Sequence, residues 1–222
     1  EVGFQILDTK YFNISNRSDL ISANYTARSL NFNKKKKTLI IPAYNEEKSI
    51  KYVVEDFKDY KIFDEIIVID NNSKDETFEI SKKLNIKVVQ EKKQGYGNAI
   101  MRGFEESTGD IIFIVEADGS FKGRDIKKFL NYLMESDMVI GTRTTRQMVE
   151  QGSNMDSITR WANVFFAKFI ELLWWNSDPG VTPRFTDVGC TYRAIWKSSF
   201  DTIKDYLKAP GPEFSVEMML AL

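Results

Sequence analysis

"IIFIVEADGSFKG", residues 111–123, decides the fold. Ile111–Val115 are consecutive apolar residues, and they give way at once to Glu116, Ala117, Asp118, Gly119 and Ser120. An unbroken aliphatic run that stops at a turn reads as a strand buried on both faces, the kind that parallel sheets contain. Two carboxylates at i and i+2 would point the same way in a continuing strand, but Gly119 argues that the backbone turns there. A turning loop with two acids and a hydroxyl can give a hard cation two or three oxygens. Water and phosphate then supply the rest, as is usual for Mg²⁺ and Mn²⁺. The alternative is an exposed strand end carrying ordinary surface acids.

The same pattern extends in both directions. "TLIIPAY" (38–44), "EIIVID" (65–70), "IKVVQ" (86–90), "DIIFIVEA" (110–117) and "DMVIGT" (137–142) read as strands. Helical spacing lies between them over Glu46–Tyr60, Asp75–Leu84, Gly97–Ser107 and Arg124–Met134. Such alternation predicts an α/β fold, a mostly parallel sheet with helices on both faces. Ligands of these sheets sit outside the carboxyl ends of the strands. There the sequence places "YNEE" (44–47), Asp70 with "NNS" (71–73), "EADGS" (116–120) and Arg143, so polar chemistry gathers at one edge.

Outside this core the pattern loosens. Residues 1–37 read as an N-terminal appendage, with "KKKK" (34–37) a solvated lead-in to the first strand, and 38–222 as one domain. Beyond Arg143 come a polar loop, a long amphipathic helix over Ser157–Trp175 and a turn-rich loop. "TDVGCTYRAIW" (186–196) then reads as strand or turn, before a final helix near Pro212. The aromatics of 157–175 fit either core packing or an interfacial helix lying on a bilayer. The chain opens without Met and "EFSVEMMLAL" stops in mid-helical pattern, so the 222 residues read as an excerpt of a longer protein.

Composition excludes more than it selects. Lysine and arginine number 31 against 32 acids, which gives no sign of a nucleic-acid partner. A single cysteine, Cys190, rules out an internal disulfide and suits a reducing, cytoplasmic setting. The chain has no histidine, which removes Ser-His-Asp and Cys-His nucleophiles and the usual zinc sites, and leaves any metal to oxygen ligands.

"IPAYNEE" (41–47), "VIDNNSKDET" (68–77), "KKQGYGNAIMRG" (92–103) and "EADGS" occur in order and at family-like spacing. Together they resemble the nucleotide-diphospho-sugar glycosyltransferases of the GT-A fold (family 2 type), over residues 38 to about 217. The nearest likeness is the dolichyl- or polyprenyl-phosphate mannosyl- and glucosyltransferase branch. That resemblance implies inverting transfer from a GDP or UDP sugar, a Mg²⁺ or Mn²⁺ ion, and a polyprenyl-phosphate or glycan acceptor. It also implies envelope-glycan biosynthesis at the cytoplasmic face of a membrane.

Position by position, it implies that Pro42, Tyr44 and Glu46 contact nucleoside and diphosphate and that Asp70 reads base or ribose. Gly95 and Gly97 would let the backbone approach the nucleotide, or would simply make a loop-to-helix turn. Glu116 and Ala117 would lie against the donor. Asp118, with Glu116 and Ser120, would hold the metal. Arg143 would face phosphate or sugar, and Arg160 and Arg193 would bind the acceptor phosphate. Asp187 would orient the acceptor or act as base, or else order its own turn. Asp75 reads as a structural acid at a helix start. A lipid-phosphate acceptor is already anionic and needs no base; a sugar hydroxyl would need one. The rival readings are a nucleotidyltransferase, which lacks its glycine-rich signature here, and a non-catalytic nucleotide-sugar-binding module.

Overall fold

The computed structural model describes residues 3–7, 10–14, 22–23, 25–26, 28–29, 32–142, 157–173 and 187–222. Two short strands, β1 (Gly3–Leu7) and β2 (Lys10–Ile14), form an antiparallel pair of their own. The main sheet comprises β3 (Lys37–Ala43), β4 (Glu65–Asp70), β5 (Lys87–Gln90), β6 (Ile111–Ile114), β7 (Met138–Ile140) and β8 (Arg193–Trp196). Its spatial order is β5-β4-β3-β6-β8-β7. β5, β4, β3 and β6 pair in parallel, whereas β8 runs antiparallel between β6 and β7. The sheet is therefore mostly parallel, with one reversed strand inserted near its edge.

The helices are α1 (Ile50–Asp59), α2 (Thr77–Lys82), α3 (Tyr96–Glu106), α4 (Ile126–Leu133), α5 (Ser157–Leu173), α6 (Lys197–Ile203) and α7 (Phe214–Ala221). Strand periodicity divides the apolar residues into two cores. Leu39, Ile41, Val68 and Phe113 face α1 and α4, packing with Val53, Phe57 and Phe129. Ile40, Ile67, Ile69, Ile112 and Ile114 face α3, α6 and α7, packing with Ile100, Phe104, Phe200 and Met218. Successive residues of one strand thus bury into opposite layers, which is why these strands are continuously apolar.

The lysine run leads into β3, as expected from sequence: Lys37 is the strand's first residue, and its Nζ donates to the Lys35 carbonyl at 2.7 Å. Part of the segment read as an appendage is nevertheless built onto the domain. Phe32 is buried edge-on to Trp196 with ring centroids 5.8 Å apart. Arg28 lies over the same indole and pairs with Asp137. On α5 the large side chains point outward, with Trp161 72% and Phe165 66% exposed, while Ala167 is buried beside Val188 and Met219. Among the described residues, core packing therefore does not account for Trp161, Phe165, Phe166 and Phe169. No helix among the described residues is long and apolar enough to cross a membrane.

Candidate active site at the carboxyl edge of the sheet

From β3 the chain steps outward to β4 and β5, then returns to the other side of β3 for β6. The reversal opens a crevice between the ends of β3 and β6, where open α/β sheets bind ligands. Pairing of β3 with β6 stops at Ile40–Ile114, while pairing with β4 continues to Ala43–Asp70. Pro42 lies beyond the last β6 pair, where a strand tolerates a missing N–H.

The loop after β3 is stitched to the loop after β4. Asn45 N–H donates to Ser73 Oγ at 3.0 Å, and Asn45 Oδ1 accepts from Lys74 N–H at 2.8 Å. Glu46 N–H donates to Thr77 Oγ1 at 2.7 Å and Glu47 N–H to Asp75 at 3.1 Å. The Glu46 carboxylate also accepts the Ser49 hydroxyl just ahead of α1, so this residue has a local structural task. Tyr44 is left 44% exposed at the mouth of the crevice. Asp75 orders the start of α2 as read from sequence. Slight burial pushes its carboxyl up, but the Thr77 hydroxyl and N–H and the Glu47 N–H outweigh this and hold it below its ordinary value.

Asp70 ends β4 fully buried, and neither carboxylate oxygen has a hydrogen-bond partner among the described residues. A buried polar group left unmatched is costly, and such groups occur where a ligand can supply the partner. Its neighbour Asn71 binds the opposite loop, donating to the carbonyls of Glu91 and Lys93 and accepting the Gly95 N–H at 2.7 Å. Asn72 has φ 62°, a left-handed conformation that asparagine adopts more readily than most residues.

The glycine pair makes the loop-to-helix turn, one of its two readings from sequence. A β-carbon on Gly95 would fall 2.3 Å from the Pro210 carbonyl oxygen, and one on Gly97 would fall 2.1 Å from that of Ala209. Gly97 N–H donates to Pro210 O at 2.8 Å. The absent side chains admit the chain's own 209–210 backbone at the start of α3.

After β6 the backbone turns as the sequence implies, with Gly119 at φ 80°. Asp118 is exposed, and Ser120 closes the turn, its N–H on Oδ1 at 2.9 Å and its hydroxyl on Oδ2 at 2.7 Å. Glu116 is half-buried and Ala117 buried. Each Asp118 oxygen thus accepts one bond within the turn, and a carboxylate oxygen can accept more than one. Among the described residues no group of three or more His, Cys, Asp or Glu could cage a metal. Two carboxylates and a hydroxyl suit a Mg²⁺ or Mn²⁺ ion whose shell is completed by phosphate oxygens and water.

The acceptor-side residues divide. Arg143 lies outside the described residues, and Arg160 falls on α5. Asp187 is buried and accepts the Gly189 N–H at 3.1 Å, which orders the turn before β8. Arg193 is a correction. It is 1% exposed, with Nε on Cys190 O at 2.9 Å, Nη1 on Ser215 O and Nη2 near Val188 O. Burial pulls its pKa down, only partly offset by Tyr96, Cys190 and Asp187. This guanidinium fastens α7 to the β8 turn and is not offered to an acceptor phosphate. Tyr96, which the sequence reading passed over, sits at the start of α3 with its phenol pushed up by burial, against Arg193 and helped by the charge of Glu116. Its position between Gly95 and Gly97 was the available signal.

Comparison with known proteins agrees with this architecture. The chain is 35% identical to Protein RfbJ of Shigella flexneri over 107 residues, covering 47% of this chain and 83% of that protein. It is 30% identical over 205 residues to the UDP-N-acetylglucosamine–dolichyl-phosphate N-acetylglucosaminyltransferase of Methanococcus voltae, covering 82% and 78% of the two chains. Its fold resembles the crystal structure of glucosyl-3-phosphoglycerate synthase from Mycobacterium tuberculosis with Mn²⁺, UDP and phosphoglyceric acid. That match has a TM-score of 0.62 at 18% identity and covers 90% of this chain and 66% of the other. The family model for glycosyl transferase family 2 matches residues 38–193, and the chain, a glycosyltransferase of GT-A fold, belongs to that family.

Proposed function

We propose that the protein transfers a sugar, with inversion, from a nucleotide-diphospho-sugar to a polyprenyl phosphate of the dolichyl type, with a divalent cation at Asp118. The observation that carries this reading is the pairing of two acids across the β3–β6 crevice. Asp118 is exposed on a Gly119 turn, and Asp70 is buried with no hydrogen-bond partner for its carboxylate among the described residues. One suits the cation and diphosphate end of a donor, the other its ribose or base.

In this reading Tyr44 flanks the nucleoside, and Pro42 and Glu46 shape the loop behind it. Asp118 holds the Mg²⁺ or Mn²⁺, with Glu116 and Ser120 beside it, and Arg143 faces the leaving diphosphate. When bound, the cation neutralises charge growing on the departing diphosphate. Arginine's fork serves the same oxygens without proton transfer. A phosphate monoester is a ready nucleophile at neutral pH, so this acceptor asks for no general base from a chain without histidine. With a sugar hydroxyl as acceptor, Asp187 is the carboxylate to take the proton.

The dolichyl-phosphate specificity in the name of the Methanococcus relative supports the lipid acceptor, and UDP with Mn²⁺ in the Mycobacterium structure supports donor and cation. The outward aromatics of α5 would rest on the cytoplasmic face of a membrane, with Arg160 on the same helix near the acceptor headgroup. We assign residues 38–222 to the catalytic domain and 1–37 to an N-terminal extension, part of which packs on that domain.

The test is a transfer assay with UDP- and GDP-sugars and a short polyprenyl phosphate, in Mn²⁺ and in EDTA, with the product's anomeric configuration read by NMR. An inverted glycosyl phosphate formed only with metal is expected. A retained configuration, or equal rates in EDTA, would contradict the proposal.

A further inference from the structure

Beside the buried face of α1, formed by Ile50, Val53, Val54 and Phe57, runs a second stripe. Tyr52 and Asp56, with Tyr60 just past the helix end, recur at four-residue spacing and so share one side of it. All three meet a single segment, Gly119–Gly123. Lys122 Nζ donates to the Tyr52 hydroxyl at 2.9 Å and to the Gly119 carbonyl at 3.3 Å, and lies 4.7 Å from the centre of the Tyr52 ring. Gly123 N–H donates to Asp56 Oδ2 at 2.7 Å. The Tyr60 ring is packed so closely on Gly123 that a β-carbon there would fall 2.6 Å from it.

We propose that Lys122 is a positioning residue: with the Tyr52–Asp56–Tyr60 stripe it clamps the turn that presents Asp118. The inference rests on the donor-site reading above. Asp118's own bonds to Ser120 are local and shape the turn without tying it to the rest of the molecule. Besides the packing of Phe121 on Tyr192, the ties to the body of the domain are the Lys122 ammonium on the Tyr52 hydroxyl and the Asp56 carboxylate on the Gly123 N–H. Both run to α1, the helix that follows directly on the Tyr44–Glu47 loop. One rigid element therefore carries both walls of the crevice, and the acid is held in one geometry before cation and diphosphate arrive. Lys122 touches neither substrate nor cation in this account; it acts through Gly119.

The test compares Lys122→Met, Lys122→Arg, Asp56→Asn and Asp118→Ala in the full chain. One readout is amide exchange of residues 118–123 in metal-free protein. The other is the Mn²⁺ midpoint, by electron paramagnetic resonance, in the presence of UDP and separately of GDP. Lys122→Met is expected to speed exchange in this segment and to raise the Mn²⁺ midpoint about tenfold, the usual size of a lost outer-shell contact. Lys122→Arg restores both and Asp56→Asn falls between, with melting temperatures close to the parent's. Unchanged exchange in Lys122→Met would refute the clamp whatever the donor site does. Faster exchange with an unchanged midpoint, while Asp118→Ala loses its Mn²⁺ response, would refute the positioning role and leave the donor site standing. An Asp118→Ala protein that keeps the parent's response would defeat the donor site and the inference with it.

Discussion

β4 begins in Glu65 and ends in Asp70, and the fold treats these two acids of one strand in opposite ways. Glu65 is surrounded by donors: the Thr38 hydroxyl at 2.7 Å, the Thr108 N–H at 2.9 Å and the Thr108 hydroxyl at 3.2 Å. Partial burial pushes its carboxyl up, but those bonds and the charge of Lys87 outweigh it and hold the group below its ordinary value. Asp70, at the other end, is fully buried with no donor for either oxygen among the described residues. The amino edge of the sheet spends its polar groups on holding strands together. The carboxyl edge keeps one acid unmatched and another, Asp118, turned to solvent. An edge that sacrifices local stability in this way is where chemistry is to be sought.

The strongest challenge to that contrast is Asp118→Asn. Transfer should fall by about a hundredfold or more, the scale of losing one charge-stabilising group, while the melting temperature stays put because, among the described residues, the side chain bonds only its own turn at Ser120. A collapse in stability would place Asp118 with Glu65 as a structural acid. Next in size is Arg193→Met, which removes the buried guanidinium's bonds to the carbonyls of Cys190 and Ser215. Denaturant unfolding should show a loss of about 3 kcal/mol, since each buried acceptor left without a donor costs about 1–3 kcal/mol. A stable Arg193→Met protein with only a weakened acceptor KM would reinstate the phosphate-binding role rejected above.

The contrast is sharpest as a crossed pair. Asp70→Asn should weaken donor binding about tenfold and raise stability by about 1 kcal/mol, because it removes a buried carboxyl whose oxygens have no donor among the described residues. Glu65→Gln should do the reverse, costing about 1 kcal/mol with transfer unchanged. Parallel changes in both proteins would erase the distinction between the edges. The smallest effect concerns pH. Glu65 and Asp75 both have lowered folded-state values, so their stabilisation is complete above the unfolded values, about 4.3 and 3.9. It is lost as pH falls below these through the folded values. Melting followed from pH 6 to pH 3 should show that decline, and Glu65→Gln should flatten part of it.

Much of this was legible in the sequence because one side-chain rule controls it. Strands buried on both faces must be continuously apolar, so Leu39–Ile41, Ile66–Ile69 and Ile111–Val115 announce themselves, and the acids that end such runs mark the ligand edge. The role of Arg193 was misread, and the packing of the glycine pair went unseen, for a shared reason. Each has its partner far along the chain, Ser215 for Arg193 and Ala209–Pro210 for Gly95 and Gly97, and no local pattern encodes a tertiary contact of that kind. The reversed strand β8 was hidden likewise. "RAIW" is apolar enough to be a strand, but its place between β6 and β7 is fixed only by pairing. Lys122 and Asp56 carry no motif of their own, and only the geometry joins them.

The most direct measurement of the central claim is calorimetric titration of UDP and of GDP into the protein, in Mn²⁺ and in EDTA, for the parent, Asp118→Ala and Glu65→Gln. One of the two nucleotides should bind at least about tenfold more tightly with Mn²⁺. That gain should vanish in Asp118→Ala and survive in Glu65→Gln. Binding that is indifferent to Mn²⁺, or a gain that Asp118→Ala retains in full, would contradict it.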